Sequence, residues 1–190
     1  FSNELDVSTN VSDQNSSGRC WIFSFLNVLR MHMVHKYSLP SEFQLSQNYL
    51  FFWDQFEKSN YFLHLMMKLS NKALDNEYIR LFLENPISDG GQWHMLQNIV
   101  KKYGVVPEHC MTDSYQSKNT KHLNLLLCSK LREFAYQIRE KFSTMTELQK
   151  KEEVKKMMNE IFKILVIFLG EPPNKINWDY YKSDSDNKNK

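Results

Sequence analysis

Apolar residues recur at helical spacing over the long segment from Lys121 to Leu169, which contains few helix breakers. The recurring positions are Leu123, Leu126, Leu127, Leu131, Phe134, Ile138, Val154, Met157, Met158, Ile161, Phe162 and Leu165. Intervals of three and four residues place such side chains on one face of an α-helix. The segment therefore predicts an amphipathic pair of helices with a break near Ser143-Thr144, ended by the glycine and prolines of residues 170–173.

The other segments also favour helices. Apolar spacing predicts a first helix from about Cys20 to Tyr37. The sequence Ser41-Glu42-Phe43-Gln44 has capping-box spacing and predicts the start of a second helix there. Further helices are predicted over Asp75–Leu83 and Trp93–Tyr103, the latter ended by Gly104. A mainly α fold follows from these patterns.

Composition and charge narrow the class of protein. The chain has 190 residues, of which 42% are hydrophobic, and this is enough for one domain with a core. The formal net charge of +2 indicates no nucleic-acid footprint, and no apolar run approaches the roughly 20 residues that cross a bilayer. His32 and His35 could share a helix face, but no third ligand accompanies them. We expect no membrane contact, no metal and no cofactor.

One thiol, that of Cys20, stands at the start of the first predicted helix. Gly18 allows a tight turn just before it. Backbone N–H groups and the positive end of the helix dipole favour a thiolate at such a position. The amide of Gln14, six residues upstream, can join the Cys20 N–H as a donor to the oxyanion of a tetrahedral intermediate. The residues alone leave a second interpretation open, because a lone helical cysteine is more often a buried structural residue.

Residues 14–23 resemble the active-site segment of the papain-like cysteine peptidases. Their pattern, Gln-x-Ser-Ser-Gly-Arg-Cys-Trp-x-Phe, is similar in particular to the branch of bleomycin hydrolase and the bacterial aminopeptidase C enzymes. Residues 45–50, Leu-Ser-Gln-Asn-Tyr-Leu, resemble the helix that follows the nucleophile helix in that family. The resemblance implies the helical, or left, lobe of the papain-like α+β fold with a helical insertion.

By the same resemblance the chain divides into three parts. Residues 1–119 are expected to form the helical lobe with the nucleophile, beginning with an extended or loop segment over residues 1–13. Residues 120–170 are expected to form the insertion, which makes subunit contacts. The apolar face expected to be exposed for these contacts contains Leu131, Phe134, Ile161 and Leu165. Residues 171–190 would be a connecting segment and a flexible polar tail from Ser183 onward.

The resemblance also implies roles for the residues of the site. Cys20 would be the nucleophile, and Gln14 would stabilise the oxyanion. The pair Gly90-Gly91, by composition only a loop leading into a helix, would lie beside the substrate, and the Gly91 N–H and C=O would pair with the residue next to the scissile bond. Candidate walls of the substrate pocket are Gln92, Trp93 and Trp21. Trp93 fits the core of the lobe equally well.

The catalytic partners of such a nucleophile are not found in the sequence. A papain-like cysteine needs a histidine as base and acid, and an asparagine or aspartate to orient that histidine. Both are expected about 130–150 residues downstream, yet no histidine follows His122 and no Asn-Ser-Trp segment occurs. We therefore expect an amino-terminal part, opening on Phe1, that is inactive without a carboxyl-terminal lobe. The other hypothesis is a short protein that has lost catalysis.

A complete enzyme of this branch would remove amino-terminal residues from peptides. The branch assembles into hexameric rings, so the resemblance implies a homo-oligomer. Secreted papain-like enzymes have a disulfide where this chain has Ser17 and Ser88-Asp89. The only cysteines are Cys20, Cys110 and Cys128. This sparse set favours a reducing, cytoplasmic compartment.

A second class of function competes with the peptidase. The chain could be a non-catalytic interaction or nucleic-acid-binding module, because some members of the family bind nucleic acid. The net charge of +2 argues against nucleic acid, since phosphate binding depends on clustered lysine and arginine. An electrophilic peptide probe tests the thiol, and a salt-dependent gel shift tests the alternative.

Overall fold

The computed structural model describes residues 12–180, which are mainly helical. The α-helices in this range are α1 Cys20–Tyr37, α2 Gln47–Lys68, α3 Glu77–Glu84, α4 Trp93–Tyr103, α5 Tyr115–Lys118, α6 Lys121–Lys141 and α7 Glu147–Leu169. The same range contains no strand, only isolated bridges that pair Ser16 with Asn119 and Leu45 with Pro107. The predicted mainly α architecture is confirmed.

Two expectations concern the ends of the chain. The extended or loop segment predicted over residues 1–13 lies largely outside the described residues, and the polar tail predicted from Ser183 lies wholly outside them. Among the helices of residues 12–180, none combines the length and the hydrophobicity that crossing a bilayer requires.

Several helix boundaries follow the local signals in the sequence. α1 and α4 begin and end at the predicted residues, and Gly104 ends α4 with a φ of +77°, a conformation that favours glycine. The predicted break in the long helical segment is the short 3-10 turn Phe142–Thr144. α7 then starts with a capping box, because the Thr146 hydroxyl accepts from the Gln149 N–H and the Gln149 side chain accepts in return from the Thr146 N–H.

The predicted start of the second helix at Ser41 is wrong. α2 begins six residues later, at Gln47. Its cap is Ser46, whose hydroxyl oxygen accepts a hydrogen bond from the Tyr49 N–H at 3.0 Å. The Ser41 hydroxyl instead donates to the neighbouring Glu42 carboxylate, so it caps no helix.

The residues before α2 are held by a distant part of the chain. The Ser46 N–H donates to the Val106 carbonyl at 2.9 Å, and the Glu108 N–H donates to the Gln44 carbonyl at 3.0 Å. These bonds keep the backbone extended up to the cap. Pairing between segments that are far apart in sequence therefore overrode a local capping signal.

The third helix is also displaced, but the reason here is local. It was predicted from Asp75 to Leu83 and runs over Glu77–Glu84. The Asn76 side chain accepts from the Tyr78 N–H at 3.1 Å and so caps the helix one residue after Asp75.

α2 lies at the centre of the fold, in contact with α1, α4, α6 and α7. One apolar cluster joins these helices. Its fully buried members on α2 include Leu50, Phe51, Phe52, Phe62 and Leu63. Because the cluster includes residues of both 1–119 and 120–170, the two parts share one core.

The expected exposed face of the insertion is instead part of this core. The residues at issue, Leu131, Phe134, Ile161 and Leu165, are at most 2% exposed. The expectation that they lie exposed is wrong because α6 and α7 turn their apolar faces toward α2 and toward each other. Contacts of residues 120–170 with other subunits stay a prediction, and they would use other faces of these helices.

Candidate active site

Cys20 is the first residue of α1 and is exposed. The N–H groups of Cys20 and Trp21 have no partner in a preceding helical turn, because they are the first of the helix. They are available to a negatively charged group at this end of the helix. Cys110 and Cys128 are half-buried, and all three cysteines are free. The alternative of a buried structural cysteine therefore does not hold for Cys20.

The residue before the cysteine anchors the start of α1. The Arg19 side chain is completely buried and forms two hydrogen bonds with the Asp113 carboxylate, at 2.7 Å and 3.3 Å. Its Nε donates to the Ser17 hydroxyl at 3.0 Å. The guanidinium carbon lies 5.2 Å from the ring centroid of Phe23 and 5.7 Å from that of Phe51. These contacts fix the backbone immediately before Cys20.

Gly18 brings two distant loops into contact. We call residues 14–20 the cysteine segment and residues 88–91 the glycine loop. A Cβ atom on Gly18 would lie 2.7 Å from the Cβ of Asp89, which is too close for any other residue without movement. The Gly18 N–H donates to the Asp89 carboxylate at 3.1 Å. Glycine at residue 18 is therefore required by the close approach of the two loops, whereas its φ lies outside the left-handed region and the turn itself does not demand glycine.

Gln14 lies half-buried at the beginning of the cysteine segment. Its carbonyl accepts from the Ser17 hydroxyl at 2.6 Å, which closes the turn that leads to Cys20. The side-chain oxygen Oε1 is buried and has no hydrogen-bond partner among residues 12–180. The atom without a partner is an acceptor, so it does not bear on donation by the Gln14 NH2 group to the oxyanion, and that role stays a prediction.

Trp21 joins the cysteine segment to the glycine loop. Its Nε1–H donates to the Asp89 carbonyl at 2.8 Å. A Cβ atom on Gly91 would lie 2.5–2.7 Å from three atoms of the Trp21 ring, whereas one on Gly90 would meet nothing within 4 Å. Glycine at residue 91 is therefore required by the packing of Trp21, a reason that the sequence alone did not reveal.

The two remaining candidate pocket residues are accessible. Gln92 and Trp93 are both exposed, and Trp93 retains 57% of its accessible surface. The Trp93 ring packs edge-on against Phe25 of α1, with ring centroids 5.3 Å apart. The alternative of Trp93 as a core residue is wrong. Its ring instead stands beside α1, near the exposed end that carries Cys20.

Lys58 of α2 holds the glycine loop from the other side. Its ammonium donates to the carbonyls of Ser88 and Gly90, each at 2.7 Å, and to the Asp54 carboxylate at 2.6 Å. The same ammonium lies 5.4 Å from the centroid of the Trp21 ring. Burial raises the pKa of Asp54 to about 7, although the Lys58 charge and hydrogen bond act to lower it.

A cavity of about 580 Å³ is lined in part by Lys58. Its walls come from α2, α3, α4 and residues 85–88, and they include Asp54, Phe82, Ile87 and Ile99. Cys20 does not line it. The cavity is thus separate from the exposed surface around the thiol.

The histidines of the chain do not serve the thiol. Those that form hydrogen bonds are His32 with the Val28 carbonyl, His64 with the Asn60 carbonyl and His94 with the Gln97 side chain. Among residues 12–180, no histidine hydrogen-bonds to Cys20. Among the described residues, Cys20 is therefore an exposed thiol without an imidazole partner.

Sequence reasoning missed the supporting contacts of four side chains. Asp54 and Lys58 have i,i+4 spacing within a helical pattern, a signal that could have indicated their ion pair. Arg19 pairs with a residue 94 positions away and Asp89 bonds one 71 positions away, and no local pattern indicates such contacts. Asp89 was noticed only as a residue that stands near the position of a cysteine in secreted enzymes.

Comparison with known proteins relates this arrangement to one family. The sequence pattern of the Peptidase C1-like family matches residues 1–190. Bleomycin hydrolase of Rattus norvegicus is 42% identical over 179 residues, which cover 92% of this chain and 39% of that protein. Aminopeptidase C of Listeria monocytogenes is 39% identical over 186 residues, covering 98% of this chain and 41% of that protein.

A solved structure is also similar to this chain. The crystal structure of PepW from Lactobacillus rhamnosis superposes with a TM-score of 0.91 at 40% identity, over 97% of this chain and 41% of the other. The chain therefore spans about two-fifths of the length of these relatives.

Proposed function

The chain belongs to the Peptidase C1-like family, and from this membership we propose that it supplies the nucleophile of a cysteine aminopeptidase of the bleomycin hydrolase type. The observation that carries the proposal is the exposed Cys20 at the first position of α1, joined through its neighbour Trp21 to the glycine loop. The names of the relatives, bleomycin hydrolase and aminopeptidase C, support a peptide substrate.

In the proposed reaction the Cys20 thiolate attacks the carbonyl carbon of the peptide bond. The free N–H of Cys20 and the side-chain amide of Gln14 donate to the oxyanion that forms. The backbone of Gly91 pairs with the substrate residue next to the scissile bond, and Gly90, Gln92, Trp93 and Trp21 line the binding surface. The exposure of Gln92 and Trp93 supports this part of the proposal.

The proposed reaction needs a histidine and an orienting asparagine from elsewhere. Because the described residues offer no imidazole to Cys20, we propose that both residues come from a further part of a longer protein. The fraction of the relatives that the chain spans supports this view. The chain alone is then expected to be inactive.

Two further properties belong to the same proposal. A cytoplasmic location is supported by the three free thiols, since secreted relatives of this kind use disulfides. Assembly into a hexamer would use exposed apolar side chains of residues 120–170. The most exposed of these are Tyr136 at 65%, Leu148 at 69% and Ile167 at 79%.

A chimera tests the proposed function. In it, residues 1–190 replace the matching segment of aminopeptidase C of Listeria monocytogenes, and hydrolysis of aminoacyl fluorogenic amides is measured. We expect turnover that Cys20→Ala lowers by at least about 10⁴-fold, because the covalent step loses its nucleophile. Cys110→Ala and Cys128→Ala are the matched controls and should retain activity. A folded chimera whose turnover is unchanged by Cys20→Ala would refute the proposal.

A further inference from the structure

We propose that Asp89 is a positioning residue that fixes the cysteine segment against the glycine loop. It does so through hydrogen bonds from two parts of the chain, the beginning of α1 with the residues before it and the beginning of α6. The relevance to catalysis rests on the proposed function. The positional claim rests on the contacts alone.

The first step is the number of donors that converge on this one residue. The Asp89 carbonyl accepts from the Trp21 indole at 2.8 Å, and the carboxylate Oδ2 accepts from the Gly18 N–H at 3.1 Å. The same Oδ2 accepts from the Thr120 hydroxyl, and Oδ1 accepts from the Asn124 amide at 2.6 Å. Two donors thus belong to the cysteine segment and its neighbour, and two belong to the beginning of α6.

The second step is that the residues on each side of Asp89 cannot move independently. The carbonyls of Ser88 and Gly90 both accept from the Lys58 ammonium, at 2.7 Å each. The glycine loop is therefore attached to α2 through its flanking carbonyls and to α1 and α6 through Asp89. Movement of Asp89 would move the Trp21 ring, against which Gly91 packs.

The third step concerns the chemistry that the site requires. All three side-chain contacts of Asp89 come from donors, so a group that only accepts, such as a carboxylate, satisfies them all. The Asn124 Oδ1 is buried and has no partner among residues 12–180. If residue 89 became an asparagine, Asn124 could turn its amide and accept from the new NH2 group. An aspartate at residue 124 would instead place two carboxylates face to face.

These contacts define three variants that test the role of Asp89 and one control. Asn124→Asp alone should separate the loops because of the repulsion between the carboxylates. The exchange Asp89→Asn with Asn124→Asp should restore the contact, since one amide then faces one carboxylate. Asp89→Ala removes the acceptors entirely. Asp75→Asn, which changes an exposed carboxyl outside the site, is the matched control.

The test uses residues 1–190 and measures hydrogen exchange by NMR at the Trp21 indole and the Gly18 amide, with Trp93 and α7 amides as internal references. We expect Asp89→Ala and Asn124→Asp to speed exchange at Trp21 and Gly18 by at least about tenfold. The double variant Asp89→Asn with Asn124→Asp should return the hydrogen-exchange rates at Trp21 and Gly18 to within a few-fold of wild type. Asp75→Asn should change neither rate. Exchange in α7 should stay unchanged throughout.

Three results would overturn the proposal. The first is protection at Trp21 and Gly18 that survives Asp89→Ala. The second is an equal rise of exchange in α7, which would show a general loss of stability. The third is failure of the double variant Asp89→Asn with Asn124→Asp to restore the protection that Asn124→Asp removes. The comparison of these two variants remains decisive if Asp89→Ala does not fold. None of these measurements depends on catalysis, so the proposed function can fail while the positional claim stands.

Discussion

The Trp21 indole lies so close to the α-carbon of Gly91 that a Cβ atom there would be 2.5 Å from the Trp21 Cζ2 atom. This contact joins the residue after the candidate nucleophile to the residue proposed to pair with the substrate. Because the same indole donates to the Asp89 carbonyl, the ring cannot withdraw without losing a hydrogen bond.

We predict that Gly91→Ala destabilises the fold and Gly90→Ala does not. The methyl group at residue 91 forces the Trp21 ring to move, and overpacking of this kind typically costs about 1–3 kcal/mol. At residue 90 it meets nothing within 4 Å, so the free energy of unfolding should stay within about 1 kcal/mol of wild type. Urea unfolding measures both. Equal stability of the two variants would show that the contact is not maintained in solution.

The buried Arg19–Asp113 pair gives a second prediction. Arg19→Met leaves the Asp113 carboxylate without its counter-ion and should lower the free energy of unfolding by about 3–5 kcal/mol. Arg80→Met, at an exposed position, is the control and should change it by about 0.5 kcal/mol or less. A cost below about 1 kcal/mol for Arg19→Met would mean that the pair does not anchor the start of α1.

The third prediction concerns pH. Because burial raises the pKa of Asp54 from 3.8 to about 7, the folded state binds this proton more tightly than the unfolded state does. The contribution of Asp54 to stability is therefore fully present below about pH 4 and is lost as the pH rises to about 7, a difference of a few kcal/mol. Asp54→Asn cannot titrate, so its stability should fall less over that range. Parallel stability curves for wild type and variant would contradict the assignment.

Local signals in the sequence were enough to predict much of the fold. The spacing of apolar residues located α1, α4, α6 and α7, and a glycine marked the ends of α4 and α7. The start of α2 was missed because the bonds of Ser46 and Gln44 to residues 106–108 are not visible in local sequence. The burial of Leu131 and Ile161 was missed because an amphipathic pattern shows that a helix has an apolar face but does not show which part of the protein packs against that face.

In the candidate site, too, some features can be predicted from local sequence and others cannot. The exposed position of Cys20 and the helix that starts there follow from a short sequence pattern. The side chains that hold it, Arg19, Asp89 and Lys58, act through partners on other elements. Only the fold brings those partners together, so a pattern around the cysteine could not indicate them.

The fourth prediction concerns thiol reactivity in residues 1–190. Iodoacetamide should alkylate the exposed Cys20 about tenfold faster than the half-buried Cys110 and Cys128, as measured by mass spectrometry. Unfolding in urea should bring the three rates close together, since exposure then no longer differs. Faster labelling of Cys110 or Cys128 in the folded chain would count against Cys20 as the accessible thiol.

The central claim is that Cys20 forms the covalent bond with the substrate. The most direct measurement locates the adduct when the chimera with aminopeptidase C is inactivated by an aminoacyl chloromethyl ketone. We predict one adduct per chain, on Cys20, formed in step with the loss of turnover and absent in Cys20→Ser. An adduct on Cys110 or Cys128 that accompanies inactivation, with Cys20 unmodified, would contradict the account.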